Sequence, residues 1–329
     1  MSNGTRVSMN TFINDNINLD TAVTQRARTS RDFLHDQLKA LPDKATDFPR
    51  LYPDKETFNF GSFSRRTKIR PLDDIDFMLV FSADGTTYSD DNDTVKMLPP
   101  NTAENLYKLR DEYGYLNSRM LLNKIKNNLN KISQYNNSDT HSHKEAVTLN
   151  LLSYDWTFDI VPSFITTIET NGKSYYLIPD GNGHWKKTDP RVDQNRVTTV
   201  NTSTDFNVLE LIRIIKYWNK IQSVKISSYL LENIVLDYFE HGDGTTWQTR
   251  RYQLKAFFEY LKLNIWNSVW DPKGLQGDLN NLDFSKKLSI EAKANECMNA
   301  IQAAIEYEDS GDYENSDKKW RVVFGTDYA

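Results

Sequence analysis

The 329-residue chain is long enough for a large core, and its length fits two closely packed domains. Its 40 Lys and Arg residues against 45 Asp and Glu residues give a formal net charge of −5, which argues against a protein built mainly to coat nucleic acid. The single cysteine, Cys297, excludes an intramolecular disulfide and a multi-cysteine zinc site. No window approaches the run of about 18 apolar residues that a membrane span needs, and the first residues lack an apolar signal core. These features predict a soluble cytoplasmic protein.

The first predicted element is a long amphipathic helix that runs from about Asp20 to Leu41. Apolar and small residues recur in it at helical spacing, and Asp20 is suited to cap its amino end. Pro42 follows directly and favours an end to the helix. The residues before it, 1–17, are polar and predict an extended or partly disordered segment.

Residues 58–81 read as a strand, a Gly61-Ser62 turn, a basic segment and a second strand that begins with two carboxylates, Asp74 and Asp76. Because side chains alternate along a strand, the two carboxylates point to one face and the apolar residues beside them to the other. Two carboxylates on one face of a rigid strand can hold a pair of divalent cations. Gly61 lets the backbone approach a polyanion, and Ser62 offers it an N–H and a hydroxyl. This combination is what nucleotidyl transfer from a triphosphate requires.

The next part of the chain has weaker signals. Residues 82–100 are acidic and punctuated by Gly and Pro, which predicts a loop with a solvated acidic tip. Two helices are predicted after it, at Thr102–Tyr113 and Leu116–Ser133. An H-x-H pair, His141 and His143, falls in the loop that follows and has no third metal ligand nearby in the sequence, so both are assigned to the surface.

Two more strands are predicted at Glu145–Leu152 and Asp155–Phe164. In the second strand alternate apolar residues form a core face, so Asp159 is carried on the opposite face of a strand otherwise fit for burial. A carboxylate there needs a partner or a metal, and an arginine partner is the structural alternative. Because a metal pair calls for a third carboxylate, Asp159 is the favoured ligand, with Asp155 on the same face as the reserve candidate.

The composition changes after a short strand at Ser174–Pro179 and a glycine-rich connector. From about Asp205 onward the apolar residues follow a 3.6-residue period, which predicts mainly helices. Their bounds are Asp205–Gln222, Ser227–Phe239, Arg250–Val269, Ser285–Glu308 and Asn315–Val323. A strand-rich first half followed by a helical second half predicts an α+β fold with a cleft between the halves.

The order GS, D-x-D and a third Asp on a later strand resembles the polymerase-β-like nucleotidyltransferase superfamily. Within it, GSFSRRTKIRPLDDID, IPDGNGHWKKTDPR, RIIKYWNK followed by SSYLLE, and the closing WRVVFG resemble the bacterial CD-NTases. These are the cGAS/DncV-like cyclic-oligonucleotide synthases of CBASS anti-phage signalling, relatives of animal cyclic GMP-AMP synthase and oligoadenylate synthetase. The resemblance covers nearly the whole chain.

The resemblance implies a fold and an activity. Residues 1–200 would form a long N-terminal helix and a nucleotidyltransferase core, a mixed sheet with flanking helices. Residues 201–329 would form a helical, oligoadenylate-synthetase-like domain that closes the nucleotide cleft. The implied activity is template-independent joining of NTPs into a cyclic di- or trinucleotide second messenger by two-metal-ion catalysis.

The resemblance also assigns site residues by position. Asp74, Asp76 and Asp159 would be catalytic and bind two Mg²⁺ ions, with Mn²⁺ as the alternative ion. Gly61 and Ser62 would hold the donor triphosphate.

Three residues of the second half complete the implied nucleotide site. Lys216 matches a position that contacts donor phosphates, Ser228 one that touches phosphate, and Tyr229 one that stacks on the donor base. From the residues alone, Lys216 reads as a solvated helix residue and Tyr229 as a core residue beside two leucines.

The implied partners are NTPs, namely ATP or GTP with pyrimidine NTPs as further candidates, and regulatory or effector proteins encoded alongside. The animal DNA sensor grips duplex DNA with a zinc-bound thumb, and a chain with one Cys has no such cluster, so no requirement for duplex DNA is expected. No membrane partner is expected. The C-terminal Asp-Tyr-Ala is interpreted as a short tail free to meet a partner.

Two other functions are weighed against the cyclase. One is template-free synthesis of linear oligonucleotides, or nucleotide addition to RNA or protein, which usually calls for a basic acceptor surface or a smaller chain. The other is a non-catalytic nucleotide-binding scaffold on the same fold, which the intact carboxylate trio disfavours.

Overall fold

The computed structural model describes residues 9–53, 57–91, 94–204, 208–242 and 249–328. After a π-helical segment at Ile13–Ile17, its helices are α1 (Thr21–Lys39), α2 (Leu41–Lys44), α3 (Gly61–Ser64), α4 (Glu104–Tyr107), α5 (Ser118–Leu129), α6 (Pro190–Thr202), α7 (Val208–Ile221), α8 (Ser228–His241), α9 (Arg250–Asn264), α10 (Phe284–Asp309) and α11 (Tyr313–Phe324). Its strands are β1 (Thr57–Phe60), β2 (Asp74–Phe81), β3 (Thr87–Asp91), β4 (Thr94–Leu98), β5 (Asp139–His143), β6 (Ala146–Asn150), β7 (Thr157–Ile165), β8 (Tyr176–Pro179) and β9 (Trp185–Thr188).

The chain divides into two compact units. The sheet unit comprises Thr21–Ser64 and Leu72–Arg191, and the helical unit comprises Met1–Asp20, Arg65–Pro71 and Val192–Ala329. The helical unit therefore includes two short segments from the first half of the chain. The functional division expected from the sequence, at residues 200 and 201, stays a prediction.

The sheet unit contains a mixed nine-stranded sheet with the order β1-β2-β7-β8-β9-β4-β3, and the β5–β6 hairpin joins it through β6 and β7. At its centre β2 and β7 run parallel, whereas β1 and β6 pair with them antiparallel. Residues 77–81 of β2 are all buried, as expected for a strand covered on both faces. Aromatic side chains pack across β2 and β7 and stabilise their pairing. The ring centroids of Phe77 and Phe158 are 5.4 Å apart, and those of Phe81 and Phe164 are 5.8 Å apart.

The helical unit has one continuous apolar core that α7, α8, α9, α10 and α11 share. Trp218 of α7 is fully buried and its Nε1 donates to Cys297 Sγ at 3.2 Å. Burial raises the pKa of the Cys297 thiol to about 12, so the thiol stays protonated at neutral pH. The interpretation of Cys297 as a small core residue is confirmed. Among the described helices, none is both long enough and apolar enough to cross a membrane.

The periodic helices of the second half are confirmed to within a few residues at most ends. The largest difference is at α9, which ends at Asn264 instead of Val269. The start predicted at Asp205 lies outside the described residues.

Several expectations for the first half are wrong. The segment 82–100 contains the β3–β4 hairpin instead of a loop, although part of its acidic tip, Asn92 and Asp93, lies outside the described residues. The helix expected at Thr102–Tyr113 is reduced to one turn, α4. His141 and His143 lie in β5, not in a loop. The glycine-rich connector contains β9 and leads directly into α6, a helix that the sequence pattern does not predict.

Both ends of the described chain are packed more firmly than the sequence indicated. Of the segment 1–17 that was expected to be extended or partly disordered, residues 9–17 are helical and residues 1–8 lie outside the described residues. Phe12 packs against Tyr328 with ring centroids 5.1 Å apart. Tyr328 is 0% exposed, and Arg321 Nε donates to its carbonyl oxygen at 2.9 Å. Tyr217 donates to Asp327 at 3.1 Å. The expectation of a free Asp-Tyr-Ala tail is therefore wrong at Asp327 and Tyr328, and Ala329 lies outside the described residues.

Candidate active site

Three carboxylates meet on one face of the central parallel pair. Asp74 and Asp76 belong to β2 and Asp159 belongs to β7, where the strand register sets Asp159 directly beside Asp76. Each offers an oxygen that lies within 4.8 Å of the oxygens of the other two, and each side chain is partly exposed. The residues between and beside them, Ile75 and Phe158, are buried on the opposite face. Alternation along two paired strands thus assembles the trio.

The trio fits divalent cations chemically. Hard oxygen ligands at this spacing suit Mg²⁺ or Mn²⁺, and a bound cation reduces the repulsion between carboxylates that lie so close together. The reserve candidate Asp155 is not part of the cluster, since it is exposed and precedes β7.

One supporting residue could not be recognised from the sequence. Thr148 lies opposite Asp159 in the β6–β7 pairing, and its Oγ1 donates to Asp159 Oδ1 at 2.6 Å. This bond leaves the other carboxylate oxygen of Asp159 for a metal and orients the group. Only the register between β6 and β7 reveals the contact, and register is not written in the local sequence.

A glycine is required at position 61, where the chain turns from the end of β1 directly into α3. Its φ is +72°, and a Cβ at this position would overlap Asp76 Oδ2 and lie 2.6 Å from Asp76 Cγ. The preceding residue, Phe60, pairs with Asp76 across β1 and β2, which explains why the glycine backbone comes so close to the carboxylate. Ser62 follows in the first turn of α3. The structure therefore brings the predicted Gly-Ser turn against the predicted metal ligands.

Lys216 lies in the helical unit and is buried, with 7% of its side chain exposed. Its ammonium forms an ion pair with Glu232 and donates to the carbonyl oxygen of Thr67 at 3.2 Å. Burial lowers the pKa of Lys216, and the Glu232 carboxylate opposes that shift. The alternative of a solvated helix residue is wrong, because this lysine has a buried partner. Its contact with donor phosphates stays a prediction.

Ser228 and Tyr229 begin α8, whose N-cap is Ser227. Ser228 is exposed. The Tyr229 hydroxyl lies 2.7 Å from Asp193 Oδ1 and 3.0 Å from Asp271 Oδ1, so these two carboxylates share its single donated proton. Burial raises the pKa of Tyr229, and the two carboxylates raise it further. The phenol is therefore un-ionised.

A lysine fixes the same ring from one side. Lys273 Nζ lies 4.1 Å from the centroid of the Tyr229 ring, contacts its hydroxyl and pairs with Asp271 at 3.1 Å. Cation–π and ion-pair contacts together hold the ring in one orientation. Its predicted stacking on a donor base stays a prediction, and this anchoring is compatible with it.

A second group of potential metal ligands, Asp237, Glu240 and His241, lies on α8. The guanidinium of Arg196 pairs with both carboxylates at 2.5 Å, which neutralises much of their charge. We assign this group a structural role.

No protein-family model matches the chain. A probable cyclic nucleotide synthase of Bacillus cereus (strain VD146) is 52% identical to it over 317 residues, which are 96% of this chain and 95% of the relative. Among solved structures, E. coli MS115-1 CdnC with ATP matches with a TM-score of 0.70 at 18% identity, covering 98% of each chain. E. coli DncV in its 3′-deoxy GTP bound form matches with a TM-score of 0.65 at 14% identity, covering 95% of this chain and 93% of that one. These similarities confirm the predicted α+β nucleotidyltransferase fold.

Proposed function

This chain belongs to the bacterial CD-NTases, the cGAS/DncV-like nucleotidyltransferases, and on that premise we propose that it joins NTPs into a cyclic di- or trinucleotide without a template. The observation that carries the proposal is the trio Asp74, Asp76 and Asp159, whose oxygens lie within 4.8 Å of one another beside the Gly61 turn. A non-catalytic scaffold has no need of such a costly concentration of charge. The relative from Bacillus cereus bears the name of a cyclic nucleotide synthase, which supports the cyclic product.

In the proposed reaction, the 2′ or 3′ hydroxyl of one nucleotide gives up its proton to solvent and attacks the α-phosphorus of a donor NTP. A phosphodiester bond forms, the bond between the α-phosphorus and the bridging oxygen breaks, and pyrophosphate leaves. The three carboxylates would hold two Mg²⁺ ions, which when bound neutralise phosphate charge and make the attacking hydroxyl more acidic. Thr148 keeps Asp159 oriented for that task. Gly61 and Ser62 would receive the donor triphosphate, because a glycine backbone leaves room for it.

Residues of the helical unit would bind the rest of the donor. Lys216 and Ser228 would contact its phosphates and Tyr229 would stack on its base. The Tyr229 hydroxyl is already engaged by Asp193 and Asp271, so the ring would offer its face and not a hydrogen bond to the base. Stacking of that kind tolerates any base, since every base has a π-face.

The product is expected to be closed. A linear intermediate that stays bound presents its free hydroxyl to its own triphosphate at high effective concentration, so ring closure needs no new catalytic groups. Purified protein incubated with all four NTPs and Mg²⁺ should yield a phosphatase-resistant product whose mass has one phosphate per nucleotide. Mass spectrometry of the reaction tests this, with the Asp76→Asn protein as the blank. A phosphatase-sensitive ladder of chains would instead favour the linear polymerase.

We further propose that the product is a second messenger in anti-phage defence in the cytoplasm and that proteins encoded alongside regulate the synthase or respond to the product. The support is family membership, together with the solved complex of E. coli MS115-1 CdnC with HORMA-deltaN, which matches this chain with a TM-score of 0.70. That complex was formed by CdnC, and it supports a search for regulatory proteins that bind this chain.

Activity is expected without nucleic acid. With one cysteine and a net charge of −5, the chain offers neither a multi-cysteine zinc cluster nor an overall basic surface for duplex DNA. Product formation should be equal before and after nuclease treatment of the purified protein, and added duplex DNA should leave it unchanged. A loss of activity on nuclease treatment would point to a bound polynucleotide activator and contradict this expectation.

A further inference from the structure

Glu232 lies on α8, one helical turn after Tyr229, and is 3% exposed. Three partners from two other segments of the helical unit converge on its carboxylate. Thr67 Oγ1 donates to it at 3.0 Å, Arg65 Nε and Nη2 approach it at 3.1 Å, and the Lys216 ammonium forms an ion pair with it. Family resemblance gave no role to this residue.

Among the described residues that contact Glu232, the cations outnumber the single carboxylate. One carboxylate, Glu232, faces two cations, Arg65 and Lys216, whose side chains are 11% and 7% exposed. Lys68 adds further positive potential at Lys216. A surplus cation with so little access to water is costly unless an anion approaches it. The cluster is therefore suited to receive a negatively charged ligand.

The geometry of the ammonium agrees with that conclusion. Lys216 Nζ has three N–H donors, of which Glu232 and the Thr67 carbonyl oxygen take two. Within the described part of the chain, the third has a long contact of 3.4 Å to Thr67 Oγ1. A phosphate oxygen is a stronger acceptor than a hydroxyl and could replace that contact without breaking the ion pair.

We propose that Glu232 is a positioning residue for nucleotidyl transfer, which holds the Lys216 ammonium in place for a donor phosphate and ties Arg65 and Thr67 to the same point. The inference rests on the proposed function, in which Lys216 contacts donor phosphates. Glu232 itself touches neither substrate nor metal in this scheme. It acts through Lys216.

The pH dependence of the reaction provides a readout that a purely structural role would not change. Burial lowers the pKa of Lys216, with Arg65 and Lys68 acting in the same direction and Glu232 against them. Burial alone would raise the pKa of Glu232, but Arg65 and Lys216 lower it overall, so it is ionised at neutral pH. Activity that needs the charged lysine is present at low pH and is lost as pH rises through the pKa of Lys216. Without Glu232 that loss should occur at a lower pH.

The test compares Glu232→Gln with wild type and with Asp237→Asn. The control makes the same carboxylate-to-amide change on the same helix and breaks the ion pair with Arg196 instead. In Glu232→Gln the basic limb of the profile of kcat/KM against pH should move down by about one pH unit or more. The Glu232→Gln protein should also bind a non-hydrolysable NTP more weakly than wild type above neutral pH. The Asp237→Asn protein should match wild type in both measurements. Circular dichroism melts check that each variant folds.

A double-variant cycle keeps the inference testable if Glu232→Gln folds poorly. In a Lys216→Gln background the ammonium that Glu232 is proposed to position is gone, and Glu232→Gln should cause no further loss of kcat/KM because its effect passes through Lys216. Equal losses in both backgrounds, or an unchanged pH profile in Glu232→Gln, would overturn the inference. Failure of the proposed function is a different result, since wild type would then make no product from NTPs.

Discussion

Replacing Asp76 by Asn is expected to abolish nucleotidyl transfer while leaving the fold intact, and Asp74→Asn should do the same. Each change removes one charge from a site that is proposed to hold two cations, without opening a cavity in the partly exposed face. The rate of product formation should fall at least about a thousandfold, because charge neutralisation is the main catalytic device of this chemistry. Initial rates at saturating NTP and Mg²⁺ measure the loss.

The matched control for this change is Asp155→Asn. Asp155 is an exposed carboxylate just before β7, outside the cluster, so its conversion to an amide should leave the rate unchanged. In metal-free buffer the melting temperature of Asp76→Asn should equal or exceed that of wild type, since one repulsive charge is gone. Retention of more than about a tenth of the wild-type rate in Asp76→Asn would make the two-cation assignment wrong.

Alternation along a strand predicts on which face of its strand each of the three carboxylates lies. The D-x-D spacing sets Asp74 and Asp76 on one face of β2, and the apolar neighbours of Asp159 set it on one face of β7. Pattern alone does not show that β2 and β7 pair in parallel with Asp76 beside Asp159. That register comes from the packing of two buried strands, as does the support from Thr148.

The errors in the first half have local causes. The β3–β4 hairpin has acidic residues and flanking Gly and Pro, a composition that is typical of a loop. An edge hairpin needs little apolar surface, so its sequence lacks the apolar alternation that would predict strands. The sequence pattern does not predict α6 because this helix begins at Pro190, at the end of the glycine-rich connector. Proline suits the first turn of a helix, where its missing N–H has no partner to lose.

Long-range pairing explains what was missed in the second half. Helical periodicity located α7 and α8 to within a few residues, but it could not show that Lys216 faces Glu232 inside the unit. A lysine on an amphipathic helix is usually solvated, so its burial depends on a partner from another helix. The same holds for Tyr229, whose anchors Asp193 and Asp271 are remote from it in sequence.

Replacing Gly61 by Ala is expected to impair both catalysis and stability. The φ of +72° is a conformation in which an L-residue is strained by about 1–2 kcal/mol, so some stability is lost wherever the methyl points. The methyl would in addition overlap Asp76 Oδ2, so either the turn or the carboxylate must move. Displacing Asp76 weakens the proposed metal site, and displacing the turn weakens the proposed triphosphate site. The rate should therefore fall by about a hundredfold or more, the size of effect that a misplacement of about 1 Å produces.

Gly172→Ala separates the collision from the backbone strain. Gly172 belongs to the same unit and has a φ of +77°, but a Cβ there meets nothing within 4 Å. Both variants should lose melting temperature through the shared strain, while only Gly61→Ala should lose affinity for a non-hydrolysable NTP in the presence of Mg²⁺. Titration of that analogue against wild type and the two variants measures the difference. Equal affinities in all three proteins would mean that the donor phosphates bind elsewhere, because a methyl group against Asp76 cannot leave a triphosphate site at this turn undisturbed.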